Sequence, residues 1–428
     1  MSYNGAHKPG QTEASTNGNL YRNSLYIFST AIIGSVIGFA FWVVAARSYS
    51  MSEVGIASVS VSAIYLLTAL SRFGFDQSIL RFFPVGEKGK IMFTSLFVTS
   101  IASLAFGVIF LIGLNVWGKG LEYLKDVGSA LTFLSILFLY STAMLIGTSF
   151  LANRRGDHYF LLNMVIHSRI VMLIPLAAFG ALGIIDSLGI GLLAALVLSV
   201  FLLTRQGIHS FKIDLSFVRN SIHFLLSNYA VGLFGTVPIL IIPIIVLNAI
   251  GPNAAAIYYI VYAIFSVLYM VPGAIGTSLL VEGSHGEELR RTATKSIRAS
   301  MIVIAILMTL IFVFGKFVLG LVGSNYVDGY ELLVMISLST FFIAIQATYY
   351  SIKMVQKEMR ILIYLSAFFS ILLISSSYLL IGVFGLTGIG YSFLLSYGSL
   401  ALITCILAKR ENWFSTIVGF KSGGVLNK

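Results

Sequence analysis

The stretch from Ser24 to Phe73, SLYIFSTAIIGSVIGFAFWVVAARSYSMSEVGIASVSVSAIYLLTALSRF, consists of two long apolar segments joined by a short polar loop. A helix needs about 20 apolar residues to cross the roughly 30 Å hydrocarbon core of a bilayer. Both segments meet that length, and we place their spans at residues 24–46 and 54–73. The stretch therefore predicts a pair of membrane-spanning helices with a tight turn between them.

The same pattern continues along the chain as far as residue 408. Hydrophobic residues make up 58% of the sequence and charged residues only 10%, whereas soluble domains are about 25% charged. The composition therefore indicates an all-α polytopic membrane protein and argues against a soluble enzyme. Ten further spans complete a predicted set of 12, at residues 91–113, 127–151, 159–180, 185–204, 221–249, 254–280, 297–322, 331–352, 361–382 and 386–408.

The basic residues are sorted to one side of these spans. Of the 27 Lys and Arg residues, only Arg47, Lys119, Lys125 and Lys316 fall on the side opposite the N-terminus, and Arg169 lies within a span. The remaining basic residues occupy the alternate connections. An excess of cations in short loops marks the cytoplasmic side, so the pattern predicts that both termini are cytoplasmic and that the protein lies in the cell membrane.

The segment around residue 212 is polar and divides the spans into two sets of six. Residues 1–22 contain no apolar core of the kind that a cleavable signal peptide needs, so we expect the first span to direct insertion. The predicted organisation is an N-terminal arm, a first six-helix bundle, a linker, a second six-helix bundle and a C-terminal tail, at residues 1–23, 24–204, 205–220, 221–408 and 409–428.

Arg169 is the strongest candidate for a functional residue, because it lies about ten residues into the predicted span 159–180. A charged side chain near the middle of a bilayer costs about 3 kcal/mol and is kept where it faces a polar lumen. Its planar fork matches phosphate oxygens, which predicts an anion site. The alternative is a structural pairing with neighbouring carbonyls, hydroxyls or a carboxylate from a span end. His167 points elsewhere on an ideal helix and fits a packing role.

The acidic residues are absent from the middle of the predicted spans. An ion-coupled antiporter usually needs a carboxylate there, so the distribution disfavours that class. Neither a phosphate-binding glycine loop nor a metal-binding histidine pair is present, and we therefore expect no catalytic residue, metal or cofactor. The net charge of +11 is spread over many loops, which argues against nucleic acid as a partner and favours membrane lipids.

Several spans carry polar side chains at helical spacing, and four of these side chains are further candidates for substrate binding. They can line a hydrated cavity in which tyrosines stack on sugar rings, or they can serve helix packing. Prolines in three spans are candidate hinges, because proline removes a backbone hydrogen bond. The polar candidates are Tyr65, Tyr262, Tyr269 and Gln346, and the hinge candidates are Pro175, Pro238, Pro243 and Pro272.

The first two spans also carry a recognisable motif. The segment FWVVAARSYSMSEVG at residues 41–55 is followed by SRFGFD at 71–76 and RFFP at 81–84. This arrangement resembles the polysaccharide-transport branch of the MOP flippase superfamily, the Wzx-type flippases of O-antigens and lipid-linked oligosaccharides. Those proteins typically have an arginine that ends span 1, an acidic residue before a glycine, and a glycine and an arginine that close span 2.

The resemblance implies a MATE-like V of two six-helix bundles around a cationic cavity. The implied substrate is a polyprenyl-(pyro)phosphate-linked oligosaccharide, moved from the cytoplasmic to the outer leaflet by alternating access. Arg47, Arg72 and Arg81 match family positions and become candidate headgroup or gate residues. Glycan polymerases or glycosyltransferases would be the implied partners.

Three alternatives remain open from the sequence. They are a drug/cation antiporter of the same superfamily, a membrane-bound glycosyltransferase or polymerase, and a non-transporting component of a glycan-assembly complex. The enzyme class is disfavoured because the longest predicted outer loop, at residues 114–127, is short.

Overall fold

The computed structural model describes residues 10–84, 86–208, 212–284 and 289–411. Every regular element in those ranges is a helix, as expected where no water is available to bond the backbone. In chain order α1 to α14 are Gly10–Ser48, Met51–Ser71, Phe75–Phe82, Lys88–Ile112, Leu114–Trp117, Val127–Ala152, Gly156–His167, Ala181–Arg205, Leu215–Ala249, Pro252–Ser284, Leu289–Val322, Tyr330–Val355, Met359–Phe384 and Thr387–Arg410.

Eleven helices in the described ranges are long and apolar enough to cross a membrane, namely all except α3, α5 and α7. They agree with eleven of the twelve predicted spans to within a few residues, apart from extensions of the longest helices beyond the predicted spans. The prediction of an all-α multi-pass membrane protein is therefore confirmed. The cytoplasmic location of both termini stays a prediction, and parts of the N-terminal arm, the linker and the C-terminal tail lie outside the described residues.

The predicted span 159–180 is not one continuous α-helix. Helix α7 ends at His167, and the chain continues through the 3-10 helix Ser168–Met172, a turn, and the 3-10 helix Ala177–Phe179. Pro175 lies in the turn, where its missing N–H leaves a carbonyl in the preceding turn without its usual donor. The break begins several residues before the proline, so Pro175 does not kink a continuous helix as predicted.

Contacts between Cα atoms divide the chain into two compact units that do not coincide with the predicted halves. Unit 1 comprises residues 1–44, 70–112 and 123–226, and unit 2 comprises residues 45–69, 113–122 and 227–428. The end of α1, the loop that joins it to α2 and most of α2 therefore belong to unit 2. The arrangement of the predicted V and of its two six-helix bundles stays a prediction.

Within unit 1, α6 packs against α4, α8 and the short α3, while α7 packs along α8. Within unit 2, α12 packs between α10 and α14, with α11 against α10 and α12 and with α13 against α14. Helix α2 is more buried than the other spans. Inside the protein, 83% of its apolar 18-residue stretch is buried, against 22–56% of the corresponding stretches in the other spans. Its buried faces include the hydroxyls of Ser58, Ser60 and Ser62.

A buried ammonium joins three helices at one end of unit 2. Lys353, in the last turn of α12, lies 2.8 Å from a carboxylate oxygen of Glu358 and 2.8 Å from one of Glu411. Glu358 precedes α13, Glu411 follows α14, and the Tyr349 hydroxyl donates to Glu411 over 3.4 Å. Only 3% of the Lys353 side chain is exposed. This ion cluster therefore fixes the ends of α12, α13 and α14 relative to one another.

Replacing Lys353 with methionine should destabilise unit 2, because two carboxylates would lose their shared cation. Loss of one partner of a buried pair costs about 3–5 kcal/mol, and partial exposure of both carboxylates reduces that to about 1–2 kcal/mol. Thermal unfolding of the purified protein measures the change. Lys90→Met removes a cation 2.8 Å from the exposed Glu87 and should leave the unfolding temperature unchanged. Equal effects of the two substitutions would show that burial of Lys353 is unimportant.

Candidate functional site

Arg169 lies at the break between α7 and the turns that follow it, inside unit 1. It occupies the 3-10 helix Ser168–Met172 and is only 7% exposed. Gly191 of α8 permits this burial, because a Cβ there would lie 2.9 Å from the Ile166 carbonyl oxygen and 3.1 Å from the Arg169 Cβ. Irregular backbone at membrane depth occurs where protein covers it or where it lines a cavity. The break thus places a guanidinium in the interior of unit 1.

The guanidinium of Arg169 stacks on an aromatic ring and, among the described residues, has no acidic partner. Its central carbon lies 4.2 Å from the ring centroid of Phe41 in α1. The buried Nε has no hydrogen-bond acceptor, and no carboxylate among the described residues forms an ion pair with Arg169. Stacking occupies one face of the guanidinium, whereas its N–H donors lie in the guanidinium plane. The guanidinium is therefore held in place by the ring, and its Nε–H donor remains unused.

His167 also packs against α1. A Cβ at Gly34 would lie 3.0 Å from the His167 Nε2, so the imidazole fills the space that this glycine leaves. Gly34 and Phe41 are seven residues apart, which places them on the same face of α1. His167 and Arg169 therefore both pack against this face of α1. Of the two, Arg169 is the candidate for binding an anion.

The other candidate arginines occupy the ends of helices. Arg47 donates from Nε to the Leu321 carbonyl over 3.1 Å and donates to the same oxygen from a terminal nitrogen. It therefore caps the end of α11 within unit 2. Arg72 lies 3.5 Å from Asp76 in unit 1, and Arg81 lies with its central carbon 5.4 Å from the Phe82 ring centroid. Arg47 belongs to unit 2, whereas Arg72 and Arg81 belong to unit 1, as Arg169 does.

The polar candidates of the second half lie together in unit 2. Tyr262 and Tyr269 lie on α10, and Gln346 lies on α12 within hydrogen-bonding reach of Tyr350. Tyr350 in turn is an electrostatic neighbour of Tyr269. Tyr65 belongs to α2, in the same unit. The residues that helical spacing in the sequence singled out on α10 and α12, Tyr350 among them, thus lie in one cluster.

The candidate hinges fall in different settings. Pro238 and Pro243 lie inside α9, and Pro272 lies inside α10, and both helices continue through their prolines. Only Pro175 lies outside a helix. Whether these positions bend during transport stays a prediction.

A polar network joins the ends of four helices in unit 1, namely α4, α6, α7 and α8. The Lys88 ammonium donates to Asn153 over 2.6 Å, and the Asn153 amide donates to Gln206 over 2.6 Å. Gln206 contacts the His158 Nδ1 at 2.8 Å, and Arg155 contacts the other ring nitrogen. Beside the network lies an open cavity of about 540 Å³. Three lysines and one glutamate line it, namely Lys88, Lys90, Lys212 and Glu87.

This network should make the stability of unit 1 sensitive to pH. Burial, together with Arg155, lowers the pKa of His158 below its usual 6.5. The unfolded chain therefore takes up the proton first, and stability should fall as pH drops below about 6.5. The Arg155 hydrogen bond holds the pKa of Asp157 at about 2, so its stabilising contribution is lost only below about pH 4.

The measurement is the unfolding temperature of the purified protein between pH 7.5 and 5.5. We expect the temperature to fall with acidification in the wild type and to fall less in His158→Gln. The same pH dependence in both proteins would assign the effect to other groups.

Comparison with solved structures shows which known proteins share this fold. An inward-facing MATE multidrug resistance transporter of the MOP superfamily matches with a TM-score of 0.68 and 12% identity, over 93% of this chain and 100% of that chain. The lipid II flippase MurJ in an inward closed conformation matches with a TM-score of 0.72 and 11% identity, over 93% and 94%. The chain has the fold of MOP superfamily transporters.

A third match with this fold carries a different site. It is a MOP superfamily transporter from Pyrococcus furiosus, described as having a binding pocket of reversed polarity, with a TM-score of 0.57 and 14% identity over 93% of this chain and 96% of that chain. No family model matches the sequence. No curated protein matches it. At these identities the fold is shared, and the function must be argued from the residues of this chain.

Proposed function

We propose that the protein is a flippase that moves a polyprenyl-(pyro)phosphate-linked oligosaccharide from the cytoplasmic to the outer leaflet. The observation that carries the proposal is Arg169, buried at a helix break with no carboxylate partner in the described part of the chain. A guanidinium without a partner is costly to keep inside a membrane protein. A phosphate or diphosphate would supply the acceptor that the Nε lacks and would match the in-plane donors of the fork.

The energetics of outward movement support an anionic substrate. A charge that crosses the full membrane potential gains about 2.3 kcal/mol per 100 mV when it moves down the field. An inside-negative potential therefore drives a phosphate group outward. Such a transporter does not need a carboxylate in the middle of a span to couple its movement to an ion gradient.

The experiment that tests the proposal measures the amount and sidedness of lipid-linked oligosaccharide in cells depleted of the protein. We expect cytoplasmic-facing lipid-linked glycan to accumulate and the wild-type gene to reverse the accumulation. Unchanged amounts and sidedness, in a strain without a second flippase, would overturn the proposal.

The second candidate function is a drug/cation antiporter, and one acidic residue favours it. Asp186 is the sixth residue of α8 and is half-buried, which places it about 7 Å from the end of that span. It is the carboxylate that a coupling ion could use. Efflux of an organic cation that depends on a proton or sodium gradient and is lost in Asp186→Asn would move this function to first place.

A further inference from the structure

Five tyrosine side chains lie near one another inside unit 2. We call this group the tyrosine cluster, and it consists of Tyr258, Tyr262, Tyr269, Tyr350 and Tyr397. The other four are all electrostatic neighbours of Tyr397. Tyr397 lies ten residues into α14, which is about 15 Å along that helix and near the middle of a hydrocarbon core of roughly 30 Å. The cluster thus lies at the depth expected for a transport site.

The hydroxyls of the tyrosine cluster are largely unused. The Tyr350 hydroxyl lies 3.1 Å from the Ser366 hydroxyl and within reach of Gln346. The Tyr258 hydroxyl is buried without a partner. Among the described residues, no hydrogen bond joins the hydroxyls of Tyr262, Tyr269 or Tyr397 to another group. Buried polar groups are normally hydrogen-bonded. The hydroxyls of this cluster therefore have unused donors and acceptors, as expected of a binding site and not of a packed core.

The surroundings of the tyrosine cluster are neutral. The electrostatic neighbours of Tyr397, Tyr262 and Tyr350 are other tyrosines. No carboxylate in the described part of unit 2 acts on them to hold a cation, and no ammonium or guanidinium acts on them to hold an anion. The cluster therefore suits an uncharged, hydroxyl-rich ligand.

Some rings of the tyrosine cluster are packed against other aromatic rings, and others are accessible. Tyr258 and Tyr262 are stacked with centroids 6.0 Å apart, and Phe369 packs against Tyr397 at 4.6 Å. In contrast, 42% of Tyr269 is exposed, and Tyr262 and Tyr350 are half-buried. The packed rings hold the accessible rings in fixed orientations.

We infer that the tyrosine cluster is a glycan-binding site that holds sugar rings of the lipid-linked substrate. The inference rests on the proposed function and assigns the sugar part of that substrate to unit 2. Aromatic faces pack against the C–H faces of a pyranose through apolar contact. Phenol hydroxyls and the Gln346 amide both donate and accept hydrogen bonds, as sugar hydroxyls do. Tyr262, Tyr269 and Gln346 are the contacts that would select the glycan.

The test measures binding of a sugar probe to the full-length protein in lipid nanodiscs. The probe is the neutral oligosaccharide released by mild acid from the host's lipid-linked pool and labelled at its reducing end. We expect the wild type to bind it and Tyr262→Ala and Tyr269→Ala to bind it at least about 10-fold more weakly, because each loses a ring face and a hydroxyl. Tyr269→Phe should lose about 3-fold.

Two exposed tyrosines of α13 provide matched controls. Tyr364 and Tyr378 are 74% and 71% exposed, so Tyr364→Ala and Tyr378→Ala should bind the probe as the wild type does. The inference is overturned if the wild type does not bind the probe or if Tyr262→Ala and Tyr269→Ala bind it normally. It is also overturned if these tyrosines prove necessary only for binding tetraphenylphosphonium, an organic cation.

A second probe separates this inference from the proposed function. Sugar-free polyprenyl pyrophosphate should lose affinity in Arg169→Gln and keep it in Tyr269→Ala, whereas the oligosaccharide should show the opposite dependence. If Arg169→Gln leaves both polyprenyl pyrophosphate binding and flipping unchanged while the oligosaccharide still needs Tyr269, the proposed function fails and the glycan site stands.

Discussion

Replacing Arg169 with glutamine should lower the flipping rate of the lipid-linked oligosaccharide by at least about 30-fold, since losing one partner of a buried charged pair costs about 2–5 kcal/mol. The substrate phosphate would lose its planar donor, and glutamine restores neither the charge nor the fork. Arg169→Lys should keep part of the activity, because a lysine supplies charge without bidentate geometry. The readout is the appearance of lipid-linked glycan in the outer leaflet of vesicles that contain the purified variant.

The matched control is a second arginine of unit 1 that stacks on a phenylalanine, at an exposed position. Arg205, at the exposed end of α8, lies with its central carbon 4.5 Å from the Phe201 ring centroid, and Arg205→Gln should flip normally. Arg169→Gln should also unfold at or above the wild-type temperature, because it removes a buried charge that lacks an acidic partner. A variant that flips normally would remove Arg169 from the mechanism. A large fall in unfolding temperature would show instead that Arg169 is structural.

Replacing Gly55 with alanine should prevent unit 2 from folding correctly. A Cβ at this position of α2 would lie 1.9 Å from the carbonyl oxygen of Pro252 and 2.7 Å from its carbonyl carbon. These are backbone atoms at the first residue of α10, so no side chain can turn aside to relieve the clash. Overpacking costs about 1–3 kcal/mol where neighbours can adjust, and we expect at least the upper end of that range.

The yield of monodisperse protein and its unfolding temperature measure the effect of Gly55→Ala. Gly273→Ala is the control, because a Cβ at that position of α10 would meet nothing within 4 Å. Alanine favours a helix over glycine by about 1 kcal/mol, so Gly273→Ala should be at least as stable as the wild type. Wild-type stability of Gly55→Ala would mean that α2 and α10 approach less closely than the structure shows.

Hydropathy predicted eleven of the spanning helices because apolar length alone decides whether a segment can cross a bilayer. The same criterion failed at residues 159–180, where the composition is apolar but the helix ends at His167. Pro175 was visible in the sequence and was interpreted as a kink. The helix ends where the Arg169 side chain is packed against Gly191 and Phe41, and hydropathy does not report such contacts.

The candidate site was predictable only in part for the same reason. Depth and charge identified Arg169, and helical spacing identified Tyr262 and Tyr269. Tyr397 could not be assigned, because its link to them depends on how α10 and α14 pack around α12. The three arginines inferred from the family resemblance occupy helix ends, as with Arg47 at the end of α11.

The burial of α2 in unit 2 has a consequence for the order of synthesis. Pro252 follows Ser71 by 181 residues in the chain, which corresponds to about 10–40 s of translation at roughly 5–20 residues per second. During that time α2 is in the membrane without the helices that later cover it. Its buried hydroxyls bond within the helix, from Ser58 to the Gly55 carbonyl and from Ser60 to the Ile56 carbonyl, each over 2.8 Å. The helix therefore satisfies the hydrogen-bonding groups of these two serines by itself before α10 is synthesised.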